Sequence, residues 1–329
     1  MVNPILIMVF NFITGALCLI YGVNSLSKGL ENMNIKIIRR TITRFSDNVF
    51  KSFAAGTVVT ALVQSSAVVT AITVGLVNSG LMQLPQAVGI IYGANIGTTV
   101  TAQLISFKLT DLAIPILIIG LIIRFIPGNK ALKNLGMVIS GLGFMFGGIK
   151  VLNSGVLYIK QSKFVYDLFK NYGNNPFLGL VIGTITTMMI QSSTATVGLT
   201  IVLFNSHMIS LNGALGLILG DNIGTCITAQ LASIGTGIKA RRAAWAHTLY
   251  NIIGAFLAMS FLNPFSKLIT FITGILGQDH TRLIANAHTV FNLLSALVFL
   301  PFTKYYVKFI EWIVPDRSTK RPKAFLKFQ

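Results

Sequence analysis

Residues 56–104 recur as residues 183–231 at a fixed offset of 127, without a gap and with 23 identical positions of 49. A chain that carries one unit twice has to fold two copies of one arrangement and bring them together. Each copy lies in apolar sequence and runs into a neutral polar triplet, Gln64-Ser65-Ser66 in the first and Gln191-Ser192-Ser193 in the second. Further on, Gly93-Ala94-Asn95-Ile96-Gly97-Thr98 pairs with Gly220-Asp221-Asn222-Ile223-Gly224-Thr225. A fainter match, at offset 126, joins Gly15 to Gly141, Gly22 to Gly148 and Leu26 to Leu152.

The solvent of this fold follows from its charge content. Hydrophobic residues make up 53% of the chain and charged residues only 10%, against about 25% in soluble domains. The fold class is therefore an all-α polytopic membrane protein. Lys and Arg total 26 against 8 Asp and Glu. They fall in short segments between apolar runs, the pattern of the positive-inside rule and of contact with anionic lipid headgroups, and not of a nucleic-acid surface. Cys18 and Cys226 both lie in apolar runs and form neither a disulfide framework nor a metal cluster. No basic segment precedes the first apolar run and no cleavage site follows it, so it reads as a retained helix.

Runs long enough to cross the bilayer, roughly 17–25 residues, lie near 5–22, 86–107, 111–127, 135–157, 213–235, 243–262 and 283–303. Two others, 53–81 and 177–208, are interrupted midway by Gln-Ser-Ser and predict re-entrant helical hairpins. The segments 24–50 and 152–176 mix apolar and basic residues and read as interfacial helices. Seven crossings plus two hairpins, with the N-terminus outside and the C-terminus cytoplasmic, put 19 of the 26 basic residues on the cytoplasmic side of the cytoplasmic membrane. Three crossings separate the two repeats, so they insert with opposite topology. The expected organisation is a first inverted repeat over 1–127, a second over 128–262, an extra transmembrane helix within 263–305 and a basic cytoplasmic tail over 306–329.

Between Phe53 and Phe107 there is no charged residue, and between Asn171 and Ile238 there is only Asp221. An anion bound here must rely on neutral donors. The second half of each hairpin starts near Ser65 or Ser192. Its first N–H groups lack intrahelical partners and carry the positive end of the helix dipole. With the serine hydroxyls and glutamine amides, two such ends suit a compact multi-oxygen anion such as phosphate. A co-bound cation offsets the charge. Gly93, Gly97, Gly220 and Gly224 are expected to loosen their helices and free carbonyl oxygens. Asn95, Thr98, Thr99, Asn222 and Thr225 then supply hard oxygen ligands for Na⁺, and Asp221 either helps to hold that cation or is a protonated carboxyl bonded to neighbouring backbone. His247 and His288 recur at offset 41, each four residues before an Asn. A Ser–His hydrolase dyad is one reading of them; a buried histidine bonded to a carbonyl or to an Asn is the stronger one.

The paired Gln-Ser-Ser motifs, each followed by Gly-x-Asn-Ile-Gly-Thr, together with Arg242-Ala-Ala-x-Ala-His-x-x-x-Asn251, resemble the type II sodium–phosphate cotransporter family over residues 10–303. The resemblance implies Na⁺-coupled symport of inorganic phosphate by alternating access, with no organic cofactor and no enzymatic activity. It implies a substrate role for Gln64, Ser65, Ser66, Gln191, Ser192 and Ser193. It implies a cation role for the Asn and Thr of the Asn-Ile-Gly-Thr segments and for Thr194, the third hydroxyl after Gln191-Ser192-Ser193, where the first copy has Ala67. The same architecture could carry another small anion, such as a dicarboxylate, or act as a phosphate sensor. Carboxylate carriers often use an Arg fork, which the hairpins lack.

Overall fold

The computed structural model describes residues 4–44, 47–107, 109–159 and 171–316, with Ser162, Asp167 and Phe169. Among these every regular element is helical, as all-apolar segments in lipid require of their backbone polar groups. In chain order the elements are α1 (Pro4–Arg44), α2 (Val49–Val63), α3 (Ser66–Asn78), α4 (Leu84–Ile105), α5 (Ala113–Arg124), α6 (Lys130–Ile159) and α7 (Pro176–Ile190). They continue with α8 (Ser193–Asn205), α9 (Leu211–Thr225), α10 (Ile227–Ala232), α11 (Ile238–Ser260), α12 (Leu262–Ile275), α13 (Leu283–Phe299) and α14 (Thr303–Ile313). Five helical stretches among the described residues are long and apolar enough to cross a membrane: α1, α4, α6, α9 with α10, and α13 with the short turn before it. The pair α11–α12, bent by 88°, supplies up to a sixth. The chain is a multi-pass membrane protein. The run at 111–127 yields only the 12 residues of α5, about 18 Å of helix, because Pro127 and Gly128 follow it.

α2, α3, α7 and α8 are apolar helices of 13 to 15 residues. Each reaches about 20 Å, short of the roughly 30 Å hydrocarbon thickness. They are the four half-length helices expected of two hairpins. Asn48 caps α2 and Asn175 caps α7, at the same place in the repeat.

The expected interfacial helix at 24–50 does not form as a separate element. The chain runs straight on from the first apolar run to Arg44 as one helix of 41 residues. Its second half is held by burial of Leu26, Ile38 and Ile42. Of the counterpart at 152–176, residues 152–159 are the end of α6, and most of 160–170, like the tail beyond Asp316, lies outside the described residues.

α1 packs along α6 through small residues. Gly15 abuts the backbone of Gly148 and Leu152, Gly22 that of Gly141 and Met145, and Gly29 that of Asn134 and Val138. Partner numbers fall as glycine numbers rise, so the helices are antiparallel. At offset 126 the Gly15–Gly148 contact maps onto Gly141–Gly22, and Gly15–Leu152 maps onto Gly141–Leu26; both images are present. A contact set that maps onto itself is an isologous one, and two antiparallel helices related this way have their local twofold axis perpendicular to both.

Inside each repeat the packing is also duplicated. Gly56 lies on the Ile90 carbonyl and Gly183 on that of Leu217. Gly93 lies on the Phe53 carbonyl and Gly220 on that of Leu180, and a Cβ at any of these four positions would overlap that oxygen. This corrects the role expected for these glycines. α4 runs unbroken through Gly93 and Gly97, and α9 through Gly220 and Gly224. The glycines let the supporting helix lie against the first arm of its hairpin, and the bonds of the intact helices stay made. The one interruption falls at Cys226, between α9 and α10.

Candidate functional site

Each hairpin turns at its glutamine. Gln64 (φ 58°, ψ 29°) and Gln191 (φ 55°, ψ 29°) adopt the left-handed conformation. With His207 they are the only non-glycine residues with positive φ among those described. A side chain held there is under strain that its surroundings must offset. The following serine is the N-cap of the second arm in both copies. Ser65 Oγ accepts from the Val68 amide and Ser192 Oγ from the Ala195 amide, each at 3.4 Å. Ser66 and Ser193 open the two arms, so the unpaired amides of both first turns lie beside them.

These two ends meet. One cavity of about 70 Å³ is lined by Gln64, Ser65 and Ser66 of the first break and by Gln191, Ser192 and Ser193 of the second. Thr98, Thr194 and Thr225 also line it. So do Asn24 and Ser27 of α1, Ala67, and Thr228 of α10. No Lys, Arg, Asp or Glu lines it. The cavity is neutral, rich in hydroxyls and amides, and placed between two helix N-termini. Two larger cavities, of about 270 and 280 Å³, are lined almost wholly by apolar side chains and include neither triplet.

The remaining sequence-selected residues lie outside this lining. The Asn95 amide donates to Asn251 Oδ1 at 2.7 Å, and its oxygen faces His247 Nε2 at 3.3 Å, which ties α4 to α11. His247 thus has the asparagine partner expected for a buried histidine, and neither His247 nor His288 lines the cavity. Asn222 donates to the Ile218 carbonyl and Thr99 to that of Ile96, each within its own helix. Asp221 is 0% exposed; its Oδ1 accepts from Thr187 Oγ1 at 2.9 Å. Thr98 and Thr225, which do line the cavity, donate to the carbonyls of Ala94 and Asp221, four residues back, at 3.0 Å each.

Asn24, Ser27 and Thr228 were not selected from the sequence. Thr228 could have been, since it pairs with Thr101 across the repeat. Asn24 and Ser27 sit in what reads as an interfacial segment, and only the unbroken α1 brings them inward.

The two halves differ in how firmly they are held. Gln64 is 7% exposed, its side chain bonded to Thr101 and to the Ala61 carbonyl and its own carbonyl accepting from Ser27 Oγ at 2.9 Å. Gln191 is exposed. Thr228, the mate of Thr101, donates to the Thr225 carbonyl instead. Asn153, the mate of Ser27 at offset 126, is exposed as well. The first break is clamped between α1 and α4, and the second stands open.

Two duplicated pairs of half-length helices meeting at a neutral polar cavity in a helical membrane protein are the plan of repeat-built transporters. The chain matches the Na⁺/Pi-cotransporter family over residues 18–154 and 155–277, and it belongs to that family. The family is one of transporters, not enzymes, and phosphate is its substrate. Among its relatives, YqeW of Bacillus subtilis, an uncharacterized protein, is 32% identical over 78% of this chain and 83% of its own length. YjbB of Salmonella typhimurium, described provisionally as an inorganic phosphate export protein, is 31% identical over 76% of this chain. The chain spans about half of that relative, 46% of its length. Sodium-dependent phosphate transport protein 2B of Homo sapiens is 31% identical over 36% of this chain and 19% of its own length. No solved structure matches the chain.

Proposed function

We propose that this protein moves inorganic phosphate across the cytoplasmic membrane by symport with Na⁺ and alternating access. The observation that carries this reading is the single cavity lined by both Gln-Ser-Ser triplets. Four serine hydroxyls, two glutamine amides and two helix N-termini converge there without a fixed cation. A phosphate held by neutral donors at membrane depth leaves its charge uncompensated, and a small cation beside it removes most of that cost. Thr98, Thr194 and Thr225 line the cavity and are the foremost Na⁺ ligands; Asn95, Thr99 and Asn222 lie outside that lining, Asn95 tying α4 to α11. Asp221 belongs to the coupling machinery and not to the substrate site. The antiparallel α1–α6 pair supports opposite insertion of the repeats 1–127 and 128–262. In that arrangement the N-terminus is outside, the C-terminus is cytoplasmic, and the basic segments lie against anionic lipid headgroups.

A dicarboxylate fits less well, because the cavity is small and offers no guanidinium fork. The name of the YjbB relative favours a second direction of flux, export, in which the same site empties outward. The deciding experiment is purified protein in sealed vesicles with labelled phosphate and an imposed Na⁺ gradient. Uptake that follows the gradient and stops when Na⁺ is replaced by K⁺ is expected. Tight phosphate binding with no flux in either direction would make the protein a sensor.

A further inference from the structure

The second arm of each hairpin ends in the same turn. In the first copy the Gly80 amide donates to the Val77 carbonyl and the Leu81 amide to that of Leu76. The His207 and Met208 amides repeat this with Phe204 and Leu203. A helix that ends this way puts one residue in the left-handed conformation and takes glycine there by preference. The first copy has that glycine, Gly80 at φ 76°, whereas the second has His207 at φ 58°. A histidine kept where the repeat accepts a glycine is held at a conformational cost, and such a cost points to a function for the side chain.

The neighbours of the two turns differ as well. The starts of α11 and α13 correspond at the offset of 41, and each lies beside one turn. In the first half Asn78 Oδ1 accepts from the Gly237 amide at 2.9 Å, which ties the end of α3 to the start of α11. The mate of Asn78 is Asn205, whose Oδ1 is buried without a partner. Two imidazoles stand at this end of the second half instead. His280, in the turn before α13, stacks on Phe204 with ring centroids 4.4 Å and planes 14° apart. His207 lies 5.9 Å from His280, centroid to centroid. Both histidines are exposed, and they line one cavity of about 360 Å³ together with Asn174 and Ser210. No Lys or Arg lines it.

We propose that His207 and His280 form a site for a divalent transition-metal ion of the Zn²⁺ type, which bridges the end of the second hairpin to the start of α13. Two imidazole nitrogens about 2.0–2.1 Å from one ion put their ring centroids about 5–6.5 Å apart, and the separation of this pair falls inside that range. Neutral imidazole is the commonest protein ligand for such ions. The stack on Phe204 fixes one ring, and the cavity leaves room for water. The described residues hold no cluster of three or more His, Cys, Asp or Glu, so the chain supplies two ligands and water the others. A site of that kind fills and empties readily, which suits regulation. An anion would need both rings charged side by side with no Lys or Arg in the lining, so the cation is favoured. In the second half the ion supplies the tie that Asn78 and Gly237 make in the first. It holds α8, whose other end carries Ser192 and Ser193, against α13. In the proposed orientation both histidines are outside, so the ion acts from that side. This clamp rests on the transport reading; the site does not.

Two readouts separate the site from the clamp. Titration calorimetry of the purified protein with ZnCl₂ in phosphate-free buffer should show binding that weakens roughly tenfold or more in His280→Ala and in His207→Gly. His207→Gly installs the residue that the first copy carries at this turn, so its unfolding midpoint without metal should be no lower than that of the wild type. Added Zn²⁺ should raise the midpoint of the wild type and not of the variant. Zn²⁺ affinity unchanged in both variants overturns the site. In vesicles, external Zn²⁺ should slow Na⁺-driven uptake of trace labelled phosphate by the wild type and leave His207→Gly as fast as without the ion. Equal responses of the two proteins, with the calorimetric difference intact, would overturn the clamp and leave the site standing. Wild-type vesicles that carry no phosphate in the absence of Zn²⁺ would refute the transport reading and the clamp with it, while the calorimetry still decides the site.

Discussion

In the proposed site the serines at the two breaks carry phosphate recognition. A hydrogen bond to a charged group is worth about 1.5–3 kcal/mol, roughly tenfold or more in affinity for each one lost. Ser66→Ala with Ser193→Ala is therefore expected to raise the phosphate KM at least tenfold, read from initial uptake rates at saturating Na⁺. Thr194→Val, which removes a hydroxyl that the first half already lacks at Ala67, should instead raise the Na⁺ concentration needed for half-maximal uptake. Unchanged Na⁺ dependence in that variant would take Thr194 out of the cation shell. At this scale the sequence was most readable, because residue chemistry and burial point the same way: both triplets and three of the threonines line the cavity. Asn95 shows where such reading ends. Its amide was counted as a cation ligand from its motif, yet it bonds to Asn251, 156 positions away, and faces His247. No local pattern carries that pairing.

Helix against helix, the glycines matter more than the polar groups. Gly93 and Gly220 bring carbonyls of α2 and α7 so close that a methyl group would overlap them. Gly93→Ala or Gly220→Ala should destabilise the fold by about 1–3 kcal/mol, as overpacked cores do, seen as a lower midpoint of thermal unfolding in detergent. A variant as stable as the wild type would return these glycines to the unwinding role first expected of them. The sequence could not decide between these two roles, since Gly in a membrane helix serves either, and the choice depends on how near the next helix lies. The unequal breaks also belong to this scale. On a background lacking Cys18 and Cys226, Gln191→Cys should react quickly with a water-soluble thiol reagent and Gln64→Cys slowly. Phosphate with Na⁺ should slow the former. Equal rates would mean that the clamp formed by Ser27 and Thr101 does not hold in the membrane.

For the whole molecule, the proposal that the halves insert in opposite senses draws on the duplicated contacts between α1 and α6. The segment 236–242, with Lys239, Arg241 and Arg242, should then be modified by a membrane-impermeant reagent only in inside-out vesicles. Labelling from the outside of intact cells would reverse the assigned orientation. Under the proposed alternating access, the difference in grip at the two breaks, Gln64 held and Gln191 exposed, corresponds to one stage of the cycle. The exchanged stage would have Asn153 and Thr228 holding Gln191 while Ser27 and Thr101 release Gln64.

From its sequence alone this chain is a helical membrane protein with two copies of one broken-helix unit. Charge content, helix length and a 127-residue repeat are properties of the chain itself, and each has few solutions in a bilayer. The tertiary structure decided what required distance. It joined the tips of two hairpins into one cavity, added Asn24, Ser27 and Thr228 to its wall, and made one helix of α1. It also left the carboxyl of Asp221 buried against Thr187. Those outcomes depend on which surfaces meet, and small residues far apart in sequence set that by letting backbones approach.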